Sequence, residues 1–82
     1  MIMNNELIEH LEMIHTTPMG EVRIKKNLQI SCDDTVEWCK QQIMKTDTIF
    51  ERKGKNWYVY IKLGILTINA SAYTIITAHP YK

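Results

Sequence analysis

Histidine, threonine and cationic side chains in the last third of the chain have the chemistry needed to cleave RNA. His79 is a candidate general acid or base, because an imidazole titrates near neutral pH. Cations close to the same phosphodiester would stabilise a phosphorane-like transition state. The candidate cations lie around one predicted hairpin, at Arg52, Lys53 and Lys55. If these groups lie close to one another, they form a metal-independent ribonuclease site, with Thr77 placed to position a phosphate oxygen or a 2′-hydroxyl; whether the chain is an enzyme stays open at this point.

Aromatic residues beside these cations predict an RNA-binding surface, with or without catalysis. Tyr58 and Tyr60 alternate with apolar residues and would stack on unpaired bases. The candidate nucleic-acid-binding residues are Arg52, Lys53, Lys55, Asn56, Tyr58, Tyr60, Asn69, Tyr73 and Thr77. A structural alternative stays open, since lysines at a sheet edge often serve solubility and prevent edge pairing, and an exposed terminal histidine often has no role.

The elements that must position these residues are strands. Residues 52–77 are rich in β-branched and aromatic side chains, which predicts an antiparallel meander. We expect a first strand over residues 48–52, followed by turns at residues 53–54 and 63–64. A further turn is expected just after Asn69, before the last strand.

The two strands around the predicted turn at residues 63–64 have one apolar and one polar face. With a two-residue turn, Ile61 lies opposite Leu66, and the alternation follows from that pair. The apolar face then comprises Trp57, Val59, Ile61, Leu66, Ile68 and Ala70. The polar face comprises Tyr58, Tyr60, Lys62, Ile65, Thr67 and Asn69. We expect the apolar face to pack against helices and the polar face to be exposed.

The orientation of the last strand depends on the length of the turn that precedes it. A two-residue turn directs Tyr73, Ile75, Thr77 and His79 toward the helices. A three-residue turn reverses the strand and brings Tyr73, Thr77 and His79 beside Tyr60 and Asn69. We favour the three-residue turn, because it buries Ile76 and leaves His79 exposed.

Helical periodicity precedes the strands. Apolar residues at Leu7, Leu11 and Ile14 predict a first helix over residues 4–15. Thr17 is placed to cap a second helix over residues 18–27. A third helix is expected to begin at the capping residue Asp34.

These patterns predict the fold class and the domain organisation. We expect an α+β fold, with three N-terminal helices packed on one face of a four-stranded antiparallel meander sheet. The chain of 82 residues forms a single domain over residues 1–82, with a helical layer about 4–46 and a sheet about 47–79.

Residues 24–38 resemble a helix-turn-helix of the bacterial repressor type, in which a Leu-x-Ile-Ser turn joins the two helices. DNA binding is therefore one functional alternative, with Arg23, Lys25 and Lys26 as its candidate contacts. The would-be recognition helix begins with the carboxylates of Asp33 and Asp34, which would repel phosphates. We therefore favour the alternative that the segment is two packed helices joined by a capped turn.

Charge is distributed unevenly along the chain. Residues 1–51 contain five Lys/Arg and nine Asp/Glu, whereas residues 52–82 contain five Lys/Arg and no Asp/Glu. A basic sheet layer attracts RNA or an acidic protein surface. A second function is therefore a non-enzymatic inhibitor module, phage or host encoded, that binds a nucleic-acid-handling enzyme. An equal alternative is that the basic layer serves only to attract the acidic helices. A homodimer through the sheet edge or face is a further expectation.

Histidine and cysteine spacing does not match a metal site. His10 and His15 are five residues apart, whereas a zinc pair on a helix needs a spacing of four. Cys32 and Cys39 lack a C-x-x-C spacing, and we expect both to be reduced. We therefore expect no cofactor and no metal. The N-terminus shows no export signal and no membrane segment, so a cytoplasmic location is expected.

Several short motifs together resemble a small, uncharacterised bacterial family, domain of unknown function 3781. The motifs cover most of the chain and are His15-Thr16-Thr17, Arg23-Ile24, the residues 54–58, the residues 67–69 and the residues 73–79. This resemblance implies no activity.

The order of helices followed by a meander, ending in Ile-Thr-Ala-His-Pro, is more loosely similar to the barnase and RelE-type ribonucleases. The resemblance implies RNA cleavage on the exposed sheet face, with Thr77 and His79 as the closing motif. A barnase-type enzyme also needs a carboxylate base, for which Glu51 is the one candidate on the strands. The RelE style needs cations and a tyrosine instead, which implies Lys55 and Tyr60 as catalytic residues beside His79.

Overall fold

The computed structural model, which describes residues 6–81, combines three α-helices with one five-stranded sheet. The helices are α1 (Glu6–Glu9), α2 (Pro18–Leu28) and α3 (Thr35–Ile43), and a 3₁₀ helix spans Leu11–Met13. The strands are β1 (His15–Thr16), β2 (Ile49–Lys53), β3 (Asn56–Tyr60), β4 (Gly64–Asn69) and β5 (Thr74–Pro80). Their order is β1-β5-β4-β3-β2, with β1 parallel to β5 and the other pairs antiparallel. The α+β class is confirmed, but the sheet has five strands rather than four.

Both predicted helix caps are confirmed. The Thr17 hydroxyl accepts a hydrogen bond from the Gly20 N–H at 3.0 Å, and Pro18 occupies the first helical position. The Asp34 carboxylate accepts a hydrogen bond from the Glu37 N–H at 3.0 Å. These side chains satisfy donors that have no partner inside a helix, which is why α2 and α3 begin where they do.

The predicted first helix over residues 4–15 is wrong in its second half. Helix α1 ends at Glu9, and the chain turns through the 3₁₀ helix into β1. This strand pairs with the start of β5, and the Thr16 hydroxyl also donates to the Ile75 carbonyl at 2.7 Å. Ladder formation with an otherwise free edge offsets the lost helical hydrogen bonds. The predicted residues 4 and 5 lie outside the described residues.

Strands β3 and β4 have the predicted faces but not the predicted register. The Ile61 N–H donates to the Gly64 carbonyl at 2.8 Å, so the turn lies one residue earlier than expected. Val59 consequently lies opposite Leu66. This is a shift of two residues, which leaves every side chain on its predicted face because strand side chains alternate with period two.

The β2–β3 turn also differs by one residue from the prediction. Lys53 pairs with Asn56, so the turn is formed by residues 54 and 55. Gly54 has a φ of 59°, a left-handed conformation that glycine adopts without steric cost. Glycine therefore determines where this hairpin turns.

A β-bulge in β5 resolves the two alternatives for the last strand. Thr67 lies opposite Thr77, but Ile68 lies opposite Ile75, so that Ile76 is an extra residue. A bulge of this kind changes which face the following residues occupy. Before the bulge, Ile75 faces inward as expected from a two-residue turn. After the bulge, Thr77 and His79 face outward as expected from a three-residue turn.

The consequences for individual residues are mixed. Thr77 and His79 lie on the face expected from the three-residue turn, and the exposure of His79 is confirmed. The expected burial of Ile76 is wrong, since 37% of this residue is exposed, and Ile75 is buried in its place.

One hydrophobic core joins the helices to one side of the sheet. Its buried residues are Leu7, Ile14, Ile24, Leu28, Cys39, Ile43, Val59, Ile61, Leu66, Ile68, Tyr73, Ile75 and Ala78. We call this side of the sheet the inner face, and the opposite side the outer face. No helix within residues 6–81 is long and apolar enough to cross a membrane.

Candidate nucleic-acid interface

The outer face consists of three cross-strand rows of side chains, defined by the register of β2 to β5. The row nearest the β2–β3 turn contains Lys53, Asn56 and Asn69. The middle row contains Glu51, Tyr58, Thr67 and Thr77. The far row contains Ile49, Tyr60, Ile65 and His79. Both tyrosines are half-buried, so each ring presents part of its surface to solvent.

The end of the outer face near the β2–β3 turn is basic and polar. Lys53 and Lys55 are exposed, and Asn56 is half-buried beside Tyr58. The Asn69 side-chain oxygen accepts hydrogen bonds from the N–H groups of Ser71 and Ala72, at 3.0 and 2.8 Å. Asn69 therefore shapes the β4–β5 turn, and its amide nitrogen is the group left for a ligand.

Arg52 does not join this surface, although the sequence grouped it with the neighbouring lysines. It lies opposite Trp57, and its guanidinium carbon is 5.6 Å from the centre of that ring. Its Nη1 is 3.7 Å from the Glu6 carboxylate, and its Nε donates to the Gly54 carbonyl at 3.2 Å. These contacts hold the side chain on the inner side of the sheet. The strand alternation contains this signal, because in the hairpin Arg52 falls on the same face of the sheet as the apolar Trp57.

Tyr73 is also separate from the outer face. Its ring stacks on His10 with 5.2 Å between the ring centres, and its hydroxyl donates to the Glu6 carboxylate at 3.4 Å. Its φ is 57°, which is unusual for a residue other than glycine. Tyr73 therefore anchors the β4–β5 turn to α1 rather than lying beside Tyr60.

The outer face includes one carboxylate, Glu51, on the edge strand β2 and directly opposite Tyr58. The Tyr60 hydroxyl donates to the Glu51 carboxylate at 2.9 Å. This hydrogen bond, together with partial burial and the negative charge of Glu51, raises the pKa of Tyr60 above its ordinary value. Tyr60 therefore stays protonated at neutral pH, and the raised pKa opposes its ionisation to the phenolate that a general base would need.

The three candidate catalytic residues are not gathered around one point. Tyr60 and His79 lie in the same row but two strands apart, so that their Cα atoms are separated by about 10 Å. Lys55 lies in the turn, five residues along the chain from Tyr60, which corresponds to about 17 Å. A single phosphodiester cannot contact all three side chains in this arrangement.

A groove beside Tyr60 is a feature that the sequence did not indicate. It has a volume of about 500 Å³ and is lined by Ile49, Phe50, Glu51, Tyr60 and Tyr81. The Tyr81 hydroxyl donates to the Ile61 carbonyl at 2.8 Å, which fixes its ring beside the far row. Because Tyr81 follows the last strand, strand periodicity carries no signal for its position.

The helix-turn-helix segment forms a packed helix pair. Residues 29–34 join α2 to α3, whereas the turn of a DNA-binding unit has three or four residues. The buried Thr35 hydroxyl donates to the Glu21 carboxylate at 3.0 Å, and Lys25 lies 3.7 Å from the same carboxylate. One of the three candidate DNA contacts is thus engaged within α2, and DNA binding by this unit stays a prediction.

Histidine, cysteine and carboxylate side chains are dispersed over the described part of the chain. Within residues 6–81, no three of them form a group that could hold a metal ion. His10 and His15 instead bond to backbone carbonyls, with their Nδ1 atoms 3.0 Å from the Glu6 oxygen and 2.9 Å from the Met13 oxygen.

Comparison with known families assigns the chain to a family whose function is unknown. The model of one family, described as a protein of unknown function (DUF3781), matches residues 8–79. The chain therefore belongs to this family. No curated protein and no solved structure matched the chain significantly. The looser resemblance to barnase and RelE-type ribonucleases consequently has no support from these comparisons.

Proposed function

We propose that this member of the DUF3781 family is a small RNA-binding domain that holds single-stranded RNA on its outer face without cleaving it. The observation that supports the proposal is the position of Tyr58. Its ring lies in the middle of the outer face, one row away from Lys53 and Asn56. A partly exposed ring beside cations provides both base stacking and phosphate contact.

The neighbouring polar groups complete a site for unpaired nucleotides. Thr77 is half-buried in the same row as Tyr58, and the Asn56 and Asn69 amides lie in the next row. Hydroxyl and amide groups can bond to base edges and to 2′-hydroxyls, whereas Lys53 and Lys55 supply charge without sequence preference. We therefore expect binding that prefers single strands over duplexes.

Binding without cleavage follows from the positions of the candidate catalytic residues. Lys55 lies in the β2–β3 turn and His79 lies in the far row, at opposite ends of the strands, so they do not share a substrate phosphate. Tyr60 is held by Glu51, whose carboxylate raises the pKa of the Tyr60 phenol and opposes its use as a base. His79 and Tyr60 then act as contacts to RNA rather than as a proton relay.

Fluorescence anisotropy with a labelled single-stranded RNA tests the proposal. We expect Tyr58→Ala to weaken binding by about 1–3 kcal/mol, the usual value of one stacked base. We expect Lys53→Gln and Lys55→Gln each to reduce the salt dependence by about 0.7 in log–log slope. The matched control is Lys26→Gln, an exposed lysine on α2, which should change neither quantity.

An assay of RNA degradation separates binding from catalysis. The purified wild-type chain should leave the RNA intact, and His79→Ala should behave in the same way. If the wild type degrades RNA and His79→Ala abolishes this without loss of thermal stability, the chain is a ribonuclease. Absence of RNA binding at low salt would contradict the whole proposal.

A protein-binding inhibitor module is the second candidate, and the groove beside Tyr60 favours it. A carboxylate and apolar walls, as at Glu51 and Ile49, suit a protein side chain better than an RNA phosphate. The lysines near the turn would then contact an acidic surface of the partner. Under this alternative, the chain co-purifies with a nucleic-acid-handling enzyme, and Tyr58→Ala leaves RNA affinity unchanged.

A further inference from the structure

Strand β2 is the long free edge of the sheet. The opposite edge, β5, is covered in part by β1, whereas nothing within residues 6–81 pairs with the outer side of β2. Because Lys53 and Asn56 close a two-residue hairpin, they form a hydrogen-bonded pair, and the ladder alternates from there. The N–H and C=O groups of Phe50 and Arg52 therefore point away from β3 and toward solvent.

Exposed apolar surface borders this edge on both sides of the sheet. On the helix side, a groove of about 480 Å³ is lined in part by Ile8, Met44, Ile49 and Phe50. The exposed fractions of Ile8, Met44 and Ile49 are 38%, 54% and 64%. On the outer side, the groove that contains Tyr60 also ends at Ile49 and Phe50. An unpaired ladder flanked by apolar surface is the arrangement that strand addition covers.

We propose that the β2 edges of two copies of this chain pair in antiparallel fashion about a two-fold axis, which joins two five-stranded sheets into one. The axis is perpendicular to the sheet, because this orientation keeps the apolar inner faces on one side and the outer faces on the other. Closed two-fold pairing uses the same surface on both copies and leaves neither edge free.

The charges on β2 determine the register of this pairing. In such a dimer, opposite residues lie on the same face of the sheet. The axis therefore lies midway between the two copies of one residue, and we name each register by that residue. An axis at Glu51, Arg52 or Lys53 places two identical charges directly opposite each other. An axis at Ile49 places Glu51 opposite Asp47 of the second copy. Like charges in these positions destabilise a ladder.

Among axes at residues of β2, an axis at Phe50 is the one that places no like charge opposite a charged residue of this strand. It places the two Phe50 rings opposite each other, and Ile49 opposite Glu51 of the second copy. Continued past the end of β2, the same register brings Lys53 of each copy close to Asp47 of the other, which lies in the turn where the Thr48 N–H donates to the Lys45 carbonyl. Two equivalent ion pairs therefore flank a central aromatic pair. This charge complementarity identifies a second copy of the chain as the occupant of the edge.

The dimer does not require RNA binding, but it uses Lys53, which the proposed RNA site also uses. Asp47→Lys, at a residue outside that site, therefore tests the dimer separately. Two outer faces on the same side of a continuous sheet would double the length of single-stranded RNA that one assembly can bind. Failure of either proposal leaves the other intact, since oligomeric state and RNA affinity are measured separately.

Charge exchange at the two ends of the ladder tests the dimer. Sedimentation equilibrium of the wild type should show a monomer–dimer equilibrium that shifts to dimer with concentration. Asp47→Lys and Lys53→Glu should each weaken dimerisation by about tenfold, because each creates two like-charge pairs. The double variant D47K/K53E should restore the wild-type equilibrium. The matched control Lys26→Glu, on exposed α2 surface, should have no effect.

Cysteine cross-linking tests the register. In a Cys32→Ser background, Ile49→Cys and Glu51→Cys chains should form a mixed disulfide when combined, because these positions are opposite across the axis. Neither chain should cross-link with itself. Self-cross-linking of Glu51→Cys would contradict the Phe50-centred register. A wild type that stays monomeric up to millimolar concentration, or a double variant no better than the single ones, would overturn the proposal. Circular dichroism of each variant distinguishes these outcomes from unfolding.

Discussion

The two faces of the sheet use the same strands for different purposes. On β4, Leu66 and Ile68 point inward and are fully buried, whereas Ile65 points outward and is half-exposed. On β3, Val59 is fully buried between two half-exposed tyrosines. The inner residues therefore contribute stability through burial. The outer residues, apart from the buried Thr67, keep exposed surface for contact with other molecules.

This difference shows that stability and binding can be changed separately in this fold. A substitution on the inner face removes packing that the helices share with the sheet. A substitution on the outer face removes only neighbours in the same cross-strand row. The comparison would fail if outer-face residues proved as important for folding as inner-face residues.

The largest expected effect is on the inner face. Ile68→Ala should lower the free energy of unfolding by about 2–5 kcal/mol, because it leaves a cavity in a closely packed core. Ile65→Ala on the same strand is the matched outer-face variant and should cost less than about 1 kcal/mol. Urea denaturation of both variants measures the difference. Equal losses would contradict the assignment of the two faces.

Two glycines test the contact between the strands and the helices. A Cβ at Gly64 would lie against the His79 carbonyl oxygen and within 2.9 Å of the Leu28 side chain, so Gly64→Ala should destabilise by about 1–3 kcal/mol. A Cβ at Gly54 meets no atom, and only its positive φ opposes alanine, at about 1 kcal/mol. Thermal unfolding of the two variants gives the ranking. If Gly64→Ala proved more stable than Gly54→Ala, β4 and β5 would be less closely packed than described.

The two cysteines extend the comparison to chemical reactivity. Burial, with a smaller contribution from nearby Cys32, raises the pKa of Cys39 to about 12. Cys39 is inaccessible in the core, whereas Cys32 is half-exposed before α3. A thiol-specific reagent at pH 8 should therefore modify one cysteine of the folded chain quickly. Mass spectrometry should locate the label on Cys32, and modification of Cys39 should require denaturant. Equal labelling rates in the folded state would contradict the position of Cys39.

The smallest expected effect concerns the titration of Tyr60. Its hydrogen bond to Glu51 raises the pKa of the phenol, so Tyr60 should ionise at higher pH than free tyrosine. Glu51→Gln removes the carboxylate charge and should lower this pKa toward the ordinary value. Ultraviolet difference absorbance, with Tyr60→Phe to assign the transition, measures both. An unchanged titration in Glu51→Gln would show that the carboxylate does not hold the hydroxyl.

Much of the fold was predictable because strand alternation tolerates errors of register. The predicted turn between β3 and β4 is displaced, yet Val59 and Tyr58 lie on their expected faces because the register shift is two residues. The capping residues Thr17 and Asp34 were equally predictable, since each acts within one helical turn. Such local signals do not depend on distant parts of the chain.

Features that depend on distant contacts were not predictable. Strand β1 has only two residues, and it forms because β5 offers an edge 59 positions away. The bulge at Ile76 is likewise set by pairing with β4 and leaves no pattern in the sequence. The structure places Tyr58, Lys53 and Asn56 beside one another on the outer face, whereas Arg52, which the sequence grouped with them, lies on the inner side of the sheet.

Nuclear magnetic resonance titration with a short single-stranded RNA tests the central claim most directly, because it compares the two sides of the molecule in one experiment. The account predicts that amide signals of β3 and β4 around Asn56, Tyr58 and Thr67 shift on adding RNA, while those of α2 and α3 stay in place. Shifts confined to α2 and α3, or no shifts at low salt, would contradict it.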